Sequence, residues 1–203
     1  MSLFNYAVAK TIMHVPKPIV SYFAKGYIAG STLADAVQVS KDLNQQGMMT
    51  TIDILGEFIT RFDQAVEFKN QALEILRTID REKLNGNLSI KPTQMGLLLD
   101  PERCFELIHE LVSEAKKLGN FVRIDMEDIA TTDATLEMFD KLRHEFPGHV
   151  GTVLQSYLRR TPQDIADHAE GYQNYRLCKG IYVEPRIHAW KNPHAINGNF
   201  TNC

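Results

Sequence analysis

Five short apolar runs, at 48–55, 88–93, 121–127, 150–156 and 175–183, alternate with amphipathic segments, and several of the runs separate charge and grease onto opposite faces. These two features together limit the fold more than anything else in the chain. Each run is too short and too rich in β-branched or aromatic residues to favour helix, so all five read as strands. Between them, the stretch from Pro101 to Gly119 sets Cys104, Ile108, Leu111, Ala115 and Leu118 at three- and four-residue steps. Asp100 stands there as N-cap, Pro101 takes the first helical position and Gly119 ends the segment, which describes a covering helix. The same logic predicts helices near 61–82, 132–145 and 162–173, the last opened by Thr161 and Pro162 with Asp164 near its positive terminus. Two more precede the first strand, at 3–13 and at 32–46, the second capped by Ser31 and stopped at Gly47. Repeated β/α units imply parallel strands joined by right-handed crossovers, either as a doubly wound open sheet or as a (β/α)8 barrel.

Strand parity separates the two. With a period of two, Arg123, Asp125 and Glu127 share one face while Val122, Ile124 and Met126 share the other. Ser89, Lys91 and Thr93 likewise oppose Leu88 and Ile90, and Thr51 and Asp53 oppose Ile52 and Ile54. An open α/β sheet lies under helices on both faces and should read as nearly continuous apolar strands. A barrel with a greasy outer face under helices and a charged lumen fits better. Unpaired charges inside would cost several kcal/mol each, so they should pair with one another or with a polar ligand. The expected fold class is therefore α/β, a (β/α)8-type barrel of which this chain carries the first five β/α units, with 1–46 forming N-terminal helices and 47–203 the partial barrel. A full barrel usually needs about 250 residues, and the chain has 203, so an open five-stranded sheet stays as the structural alternative.

Composition bounds the function classes. At 44% hydrophobic and 23% charged the chain has ample material for a core. Its net charge of -3 gives no electrostatic case for nucleic acid. Cys104, Cys178 and Cys203 are far apart and lack metal-type spacing, which argues against a disulfide framework or a zinc site and for a reducing cytoplasm. No signal-peptide pattern opens the chain, and nowhere do about 18 apolar residues follow one another.

Ligands of parallel α/β folds gather at the carboxyl ends of the strands. The polar residues there are Glu57, Lys91, Asp125, Glu127, Asp128, Gln155, Tyr157, Arg176, Lys179 and Tyr182. Taken singly, each reads as a helix cap or a loop charge; converging, they read as a site. Lys91 and Lys179 suit either Schiff-base chemistry, as in barrel aldolases, or the role of cations for a phosphate or flavin. His188 and His194 fall in a loop-like, solvent-exposed tail, while Met48, Met49 and Trp190 read as packing residues. No G-x-G-x-x-G or Walker loop occurs, so a flavin would sit at a barrel mouth rather than in a Rossmann crevice.

Six segments in order and in register then resemble the successive strand motifs of the proline dehydrogenase family: Y-I-A-G (27–30), D-I-L-G-E (53–57), S-I-K-P-T-Q-M-G (89–96), R-I-D-M-E-D (123–128), L-Q-S-Y-L-R-R-T (154–161) and R-L-C-K-G-I-Y (176–182). The resemblance implies a distorted (β/α)8 barrel that binds FAD and oxidises L-proline to Δ1-pyrroline-5-carboxylate, with electrons passed to a membrane quinone through a peripheral contact at the inner membrane face. It implies that Arg176 and Lys179 bring positive charge and hydrogen bonds to the flavin, that Gly180 allows close backbone approach, and that Gln155 meets the pyrimidine edge. Asp125 and Met126 would line the flavin and active site, Lys91 would stand beside the substrate pocket in an ion-pair network, and Tyr182 would wall the flavin. Cys178 and Ile181 take positions in the same motif where the family usually has Val and Ala. The family's A-T-H-D-like strand, its Q-containing seventh strand and its carboxylate-clamping Y-x-x-R-R helix find no match, so the chain by itself is expected to lack measurable proline oxidation. A Schiff-base lyase or aldolase, and a non-catalytic half-barrel needing a partner chain, are the competing readings.

Overall fold

A computed structural model of the protein describes residues 28–56 and 59–203. The expected helix at 3–13 and the candidate Glu57 lie outside the described residues. The elements run α1 (Leu33–Gln45), β1 (Thr50–Asp53), α2 (Phe62–Arg81), β2 (Gly86–Ile90), α3 (Pro101–Lys117), β3 (Val122–Ile124), α4 (Ile129–Glu145), β4 (Val150–Gln155), α5 (Thr161–Asp167), β5 (Tyr175–Cys178) and α6 (Pro193–Asn202). All five strands are parallel, and their order in the sheet is their order in the chain. A doubly wound sheet would reverse its strand order at a switch point. This one winds in a single direction, as a barrel wall does.

The helices confirm it by taking one face. Ile52, Leu88, Ile90, Val122, Ile124 and Val150 point from the sheet into a core shared with Leu76 and Ile79 of α2, Ile108 and Leu111 of α3, and Phe139 and Leu142 of α4. Each such side chain, fully withdrawn from water, contributes about 1.5–3 kcal/mol, so the apolar parity alone commits this face to the helices. The odd-numbered residues of β1 to β3, Thr51, Asp53, Asn87, Ser89 and Arg123, are left on the other face, which is the lumen.

Local chemistry accounts for where elements begin and end. α3 starts as expected, with the Asp100 carboxylate accepting from Arg103 N at 3.1 Å and Pro101 in the first turn. α1 is capped one residue later than expected, by Thr32 instead of Ser31. The Thr32 hydroxyl accepts from Asp35 N at 3.2 Å, and the Asp35 carboxylate accepts from Thr32 N at 3.0 Å, a reciprocal box that Ser31 is out of register to make. α4 starts at Ile129, not near 132, because Asp128 caps it by accepting from Thr131 N at 3.1 Å.

Other expectations are corrected. The helix expected over 162–173 ends at Asp167, because Arg143 of α4 draws the following loop out. Its Nη1 donates to the carbonyls of His168, Glu170 and Tyr172 at 3.1, 2.7 and 3.3 Å, which breaks the helical repeat. The strand expected over 175–183 ends at Cys178, since Gly180 turns to φ +96° and Ile181 and Val183 stand 87% and 97% exposed. Met48 and Met49 are not packing residues: they lie ahead of β1 and are 43% and 71% exposed. The tail containing His194 is a helix, α6, although the histidine is exposed as expected. Trp190 is half-buried, with the Arg159 guanidinium 3.5 Å over its ring.

Candidate active site

The lumen face of β1, β2, β3 and β5 carries a connected set of charges. Lys91, just past β2, donates to Asp53 of β1 at 2.5 Å and lies 4.0 Å from Asp125, just past β3. The Asp125 carboxylate accepts from Ser89 Oγ at 2.8 Å and from Arg176 Nη2 at 2.6 Å. Arg123 sends Nη1 to the carbonyls of Thr152 and Asn174, at 3.0 and 2.9 Å, and Nη2 to Asn174 Oδ1 at 2.7 Å. This is the pairing that the charged parity demanded, since an isolated buried ion is too costly to keep. Burial pushes the Asp53 carboxyl above the usual carboxylate range, outweighing the opposing contact with Lys91. Burial, and then the neighbouring Arg176 charge, push Arg123 down to about 10.

The carboxyl ends of the strands bring Lys91, Asp125, Gln155 and Arg176 to the same side. Gln155 ends β4, is buried, and donates through Nε2 to Met126 O at 3.0 Å, which fixes its amide. Met126 is itself buried against Leu136, Val153 and Leu154. Cys178 is half-buried at the end of β5, and Lys179 and Gly180 are exposed beyond it, with the Lys179 ammonium 5.9 Å from the Phe200 ring centre. Tyr182 is drawn toward α6 and packs with Tyr157, Leu158 and Ala189. Gly180 has a reason inside the protein for being glycine: at φ +96° a Cβ there would run into the Tyr157 ring.

Other candidates serve the scaffold. Glu127 is buried and accepts from Thr93 N and Thr93 Oγ1 at 2.8 and 2.6 Å, tying the ends of β2 and β3 together. Asp128 is the α4 cap. Cys104 is sealed in the core, where burial pushes its thiol up to about 12 and leaves it chemically inert. Asp53, Ser89, Arg123 and Asn174 join the site without being among the strand-end candidates. Parity places the first three on the wet face, but Asp53 ends β1 only because that strand stops short of the expected residue 55, Ser89 and Arg123 lie within their strands, and Asn174 sits in a loop with no sequence signal.

Among the described residues, four buried side-chain atoms have no hydrogen-bond partner: Asp53 Oδ1, Gln155 Oε1, Tyr157 Oη and Arg176 Nε. Each such atom costs about 1–3 kcal/mol, and a ligand that satisfies several of them recovers that cost. Gln155 offers an acceptor and Arg176 a donor on adjacent strands, beside a cationic cluster at the mouth of a parallel sheet. That set suits a planar, polar-edged, electron-rich ligand.

Comparison with known proteins agrees in fold and in family. A family model described as proline dehydrogenase matches residues 36–191. Proline dehydrogenase 1 of Bacillus subtilis (strain 168) is 33% identical over 177 residues, covering 87% of this chain and 58% of that protein. The proline dehydrogenase of Deinococcus radiodurans is 33% identical over 182 residues, with 87% and 58% covered. The chain thus spans about 58% of the length of these curated relatives. Among solved structures, proline utilization A from Bdellovibrio bacteriovorus, inactivated by N-propargylglycine, superposes with a TM-score of 0.81 at 23% identity over 91% of this chain and 24% of that one. The five strands are accordingly a curled half-barrel of the (β/α)8 type.

Proposed function

Because the chain belongs to the proline dehydrogenase family, we propose that its lumen forms the flavin-holding wall of an enzyme that oxidises L-proline to Δ1-pyrroline-5-carboxylate and passes the electrons to a quinone. The observation that carries the reading is the pair of buried, unpartnered atoms Gln155 Oε1 and Arg176 Nε, an acceptor and a donor on adjacent strands beside the Lys91–Asp53–Asp125 network. FAD, when bound, supplies the two-electron acceptor for the hydride that leaves the carbon next to the proline nitrogen, while the nitrogen's proton passes to solvent.

The remaining work belongs to the chain's own residues. Arg176 and Lys179 hold positive charge where reduction accumulates negative charge, and Asp125 aims Arg176 through its 2.6 Å contact. Gln155, its amide already fixed by Met126 O, presents its oxygen to a ring N–H. Gly180 offers backbone without a side chain, and Cys178, Ile181 and Tyr182 supply apolar surface that excludes water from the reacting atoms, while Met126, its side chain packed with Leu136 of α4, serves through its carbonyl on Gln155 and not as a wall of the lumen. Lys91, held by Asp53, stands beside the substrate. Use as a Schiff-base amine would require it to be neutral, and its 2.5 Å contact with a carboxylate opposes that. Delivery of electrons to a quinone calls for a peripheral contact with the inner membrane face of the cell; among the described residues no helix is long and apolar enough to cross a membrane.

Titration of the purified chain with FAD, followed by flavin fluorescence, tests the cofactor half of the reading. Binding that weakens on the order of tenfold in Arg176→Ala and in Gln155→Leu, equivalent to about 1.4 kcal/mol per contact, is expected. Binding absent, or indifferent to both substitutions, overturns it. The substrate half is read by proline-dependent dye reduction in enzyme captured from its source cells, with borohydride trapping as the competing Schiff-base outcome.

A further inference from the structure

We propose that Arg123 is a positioning residue for the proposed flavin site: it is a strut that crosses the lumen face from β3 to β5 and fixes where Arg176 stands. The proposal rests on the flavin reading only for what Arg176 does, not for the strut itself.

Two rungs join β3 to β5 without using β4's side chains. In the first, Arg123 reaches Asn174 twice, donating to its carbonyl at 2.9 Å and to its side-chain oxygen at 2.7 Å. In the second, Arg176 donates to Asp125 at 2.6 Å. Residues 123 and 125 are two apart on one strand, as 174 and 176 are along the other, so both rungs lie on the same face. The polarity reverses between them: β3 gives the cation in one rung and the carboxylate in the other, which fixes the pairing against a two-residue slip.

The strand between has to let the first rung pass. Gly151 stands opposite Arg123 in the β3–β4 register. A Cβ built there would lie 2.5 Å from Arg123 Nη1 and 2.5 Å from the Asn174 carbonyl oxygen. Glycine is thus needed at this place by the Asn174 carbonyl and the Phe121 ring, whose Cζ would lie 2.6 Å away, as well as by the guanidinium that crosses it. Arg123 Nη1 also donates to Thr152 O, at 3.0 Å, so the same group pins all three strands. From the outer side, Arg143 holds the carbonyls of His168, Glu170 and Tyr172, so the loop leading into β5 is set between two arginines.

A strut on the concave face draws β5 toward β3 and curls the sheet. Without it, the start of β5 loses its anchor on the lumen side and keeps only Arg143 and the Thr152 N–H to Asn174 O bond, so Arg176 meets Asp125 only part of the time. A cation that exchanges among orientations holds a ligand less well than one fixed in place.

Hydrogen exchange of the purified chain tests the strut with no cofactor present. Arg123→Ala is expected to speed exchange over 172–178 by on the order of tenfold, leaving the amides of β1, β2 and α2 at wild-type rates. Asn174→Ala should reproduce that pattern, and the double variant should add little to either single one. Gly151→Ala, which keeps the arginine but crowds both its path and the Asn174 carbonyl that it meets, should show the same local change. Should Arg123→Ala not fold, the Gly151 and Asn174 variants carry the test. Unchanged exchange over 172–178, or an increase spread evenly over the domain, overturns the strut. In parallel, FAD titration of Arg123→Ala should show binding weakened by on the order of tenfold, with Arg123→Lys between it and wild type. If wild-type chain binds no FAD, the function reading fails while the exchange result still judges the strut; if wild-type binds and Arg123→Ala binds equally, the positioning role is overturned.

Discussion

At the scale of single residues, the lumen shows how burial and pairing compete over one group. Asp53 keeps one oxygen on Lys91 and leaves the other buried without a partner, and its carboxyl is raised because burial outweighs the lysine. In the unfolded chain an aspartate titrates near 3.9. Between that value and the raised one, the folded state binds the proton more readily, so its stability falls as pH rises through the window. Asp53→Asn removes the titration. Thermal unfolding across mildly acidic pH should therefore show a wild-type decline that the variant lacks, and parallel curves would refute the assignment. Gly180 illustrates a second constraint. Its positive φ and the Tyr157 ring leave no place for a methyl group, so Gly180→Ala should cost about 1–3 kcal/mol in urea unfolding. A cost near zero would mean the ring is free to move aside.

At the scale of elements, the first three strands are chemically asymmetric because their two faces meet different surroundings, whereas β4 is buried along its whole length. Leu88 and Ile90 of β2 are buried under helices, while Ser89 between them reaches across the lumen to Asp125. The helices meet this by presenting one apolar stripe each, and α3 does so with Cys104, Ile108, Leu111 and Ala115, all buried. Truncating Leu111 to Ala should cost about 3 kcal/mol through lost transfer and the cavity left behind. Leu55, which follows β1 and is 89% exposed, should tolerate the same change within about 0.5 kcal/mol. Matched denaturant midpoints for the two variants would contradict the assignment of faces. Caps were the less legible part of the elements. Asp100 with Pro101 announced α3, whereas Thr32 beat Ser31 at α1 through a side-chain exchange with Asp35 that depends on one residue of register.

At the scale of the whole molecule, the sheet has two edges: among the described residues, β1 pairs only with β2, and β5 only with β4. Such edges present unpaired backbone groups to other chains. The purified chain should therefore self-associate with rising concentration in sedimentation velocity, and Thr51→Lys, at an exposed position on β1, should reduce that association by adding charge at the edge. A monomer at every concentration would show that the edges are covered. The sequence by itself determined the β/α alternation, the parallel strands and the identity of the charged face, because these follow from residue periodicity, which is local; it favoured a barrel, and the strand order excluded the open doubly wound sheet. It also held the family resemblance, in motifs that keep their order along the chain. Tertiary structure alone decided which charges meet: that Asp125 serves Arg176, that Arg123 crosses Gly151 to reach Asn174, and that α5 gives way to a loop held by Arg143. Those contacts join residues as far as 51 positions apart, and their partners are chosen by strand order and sheet curvature, which no local pattern encodes.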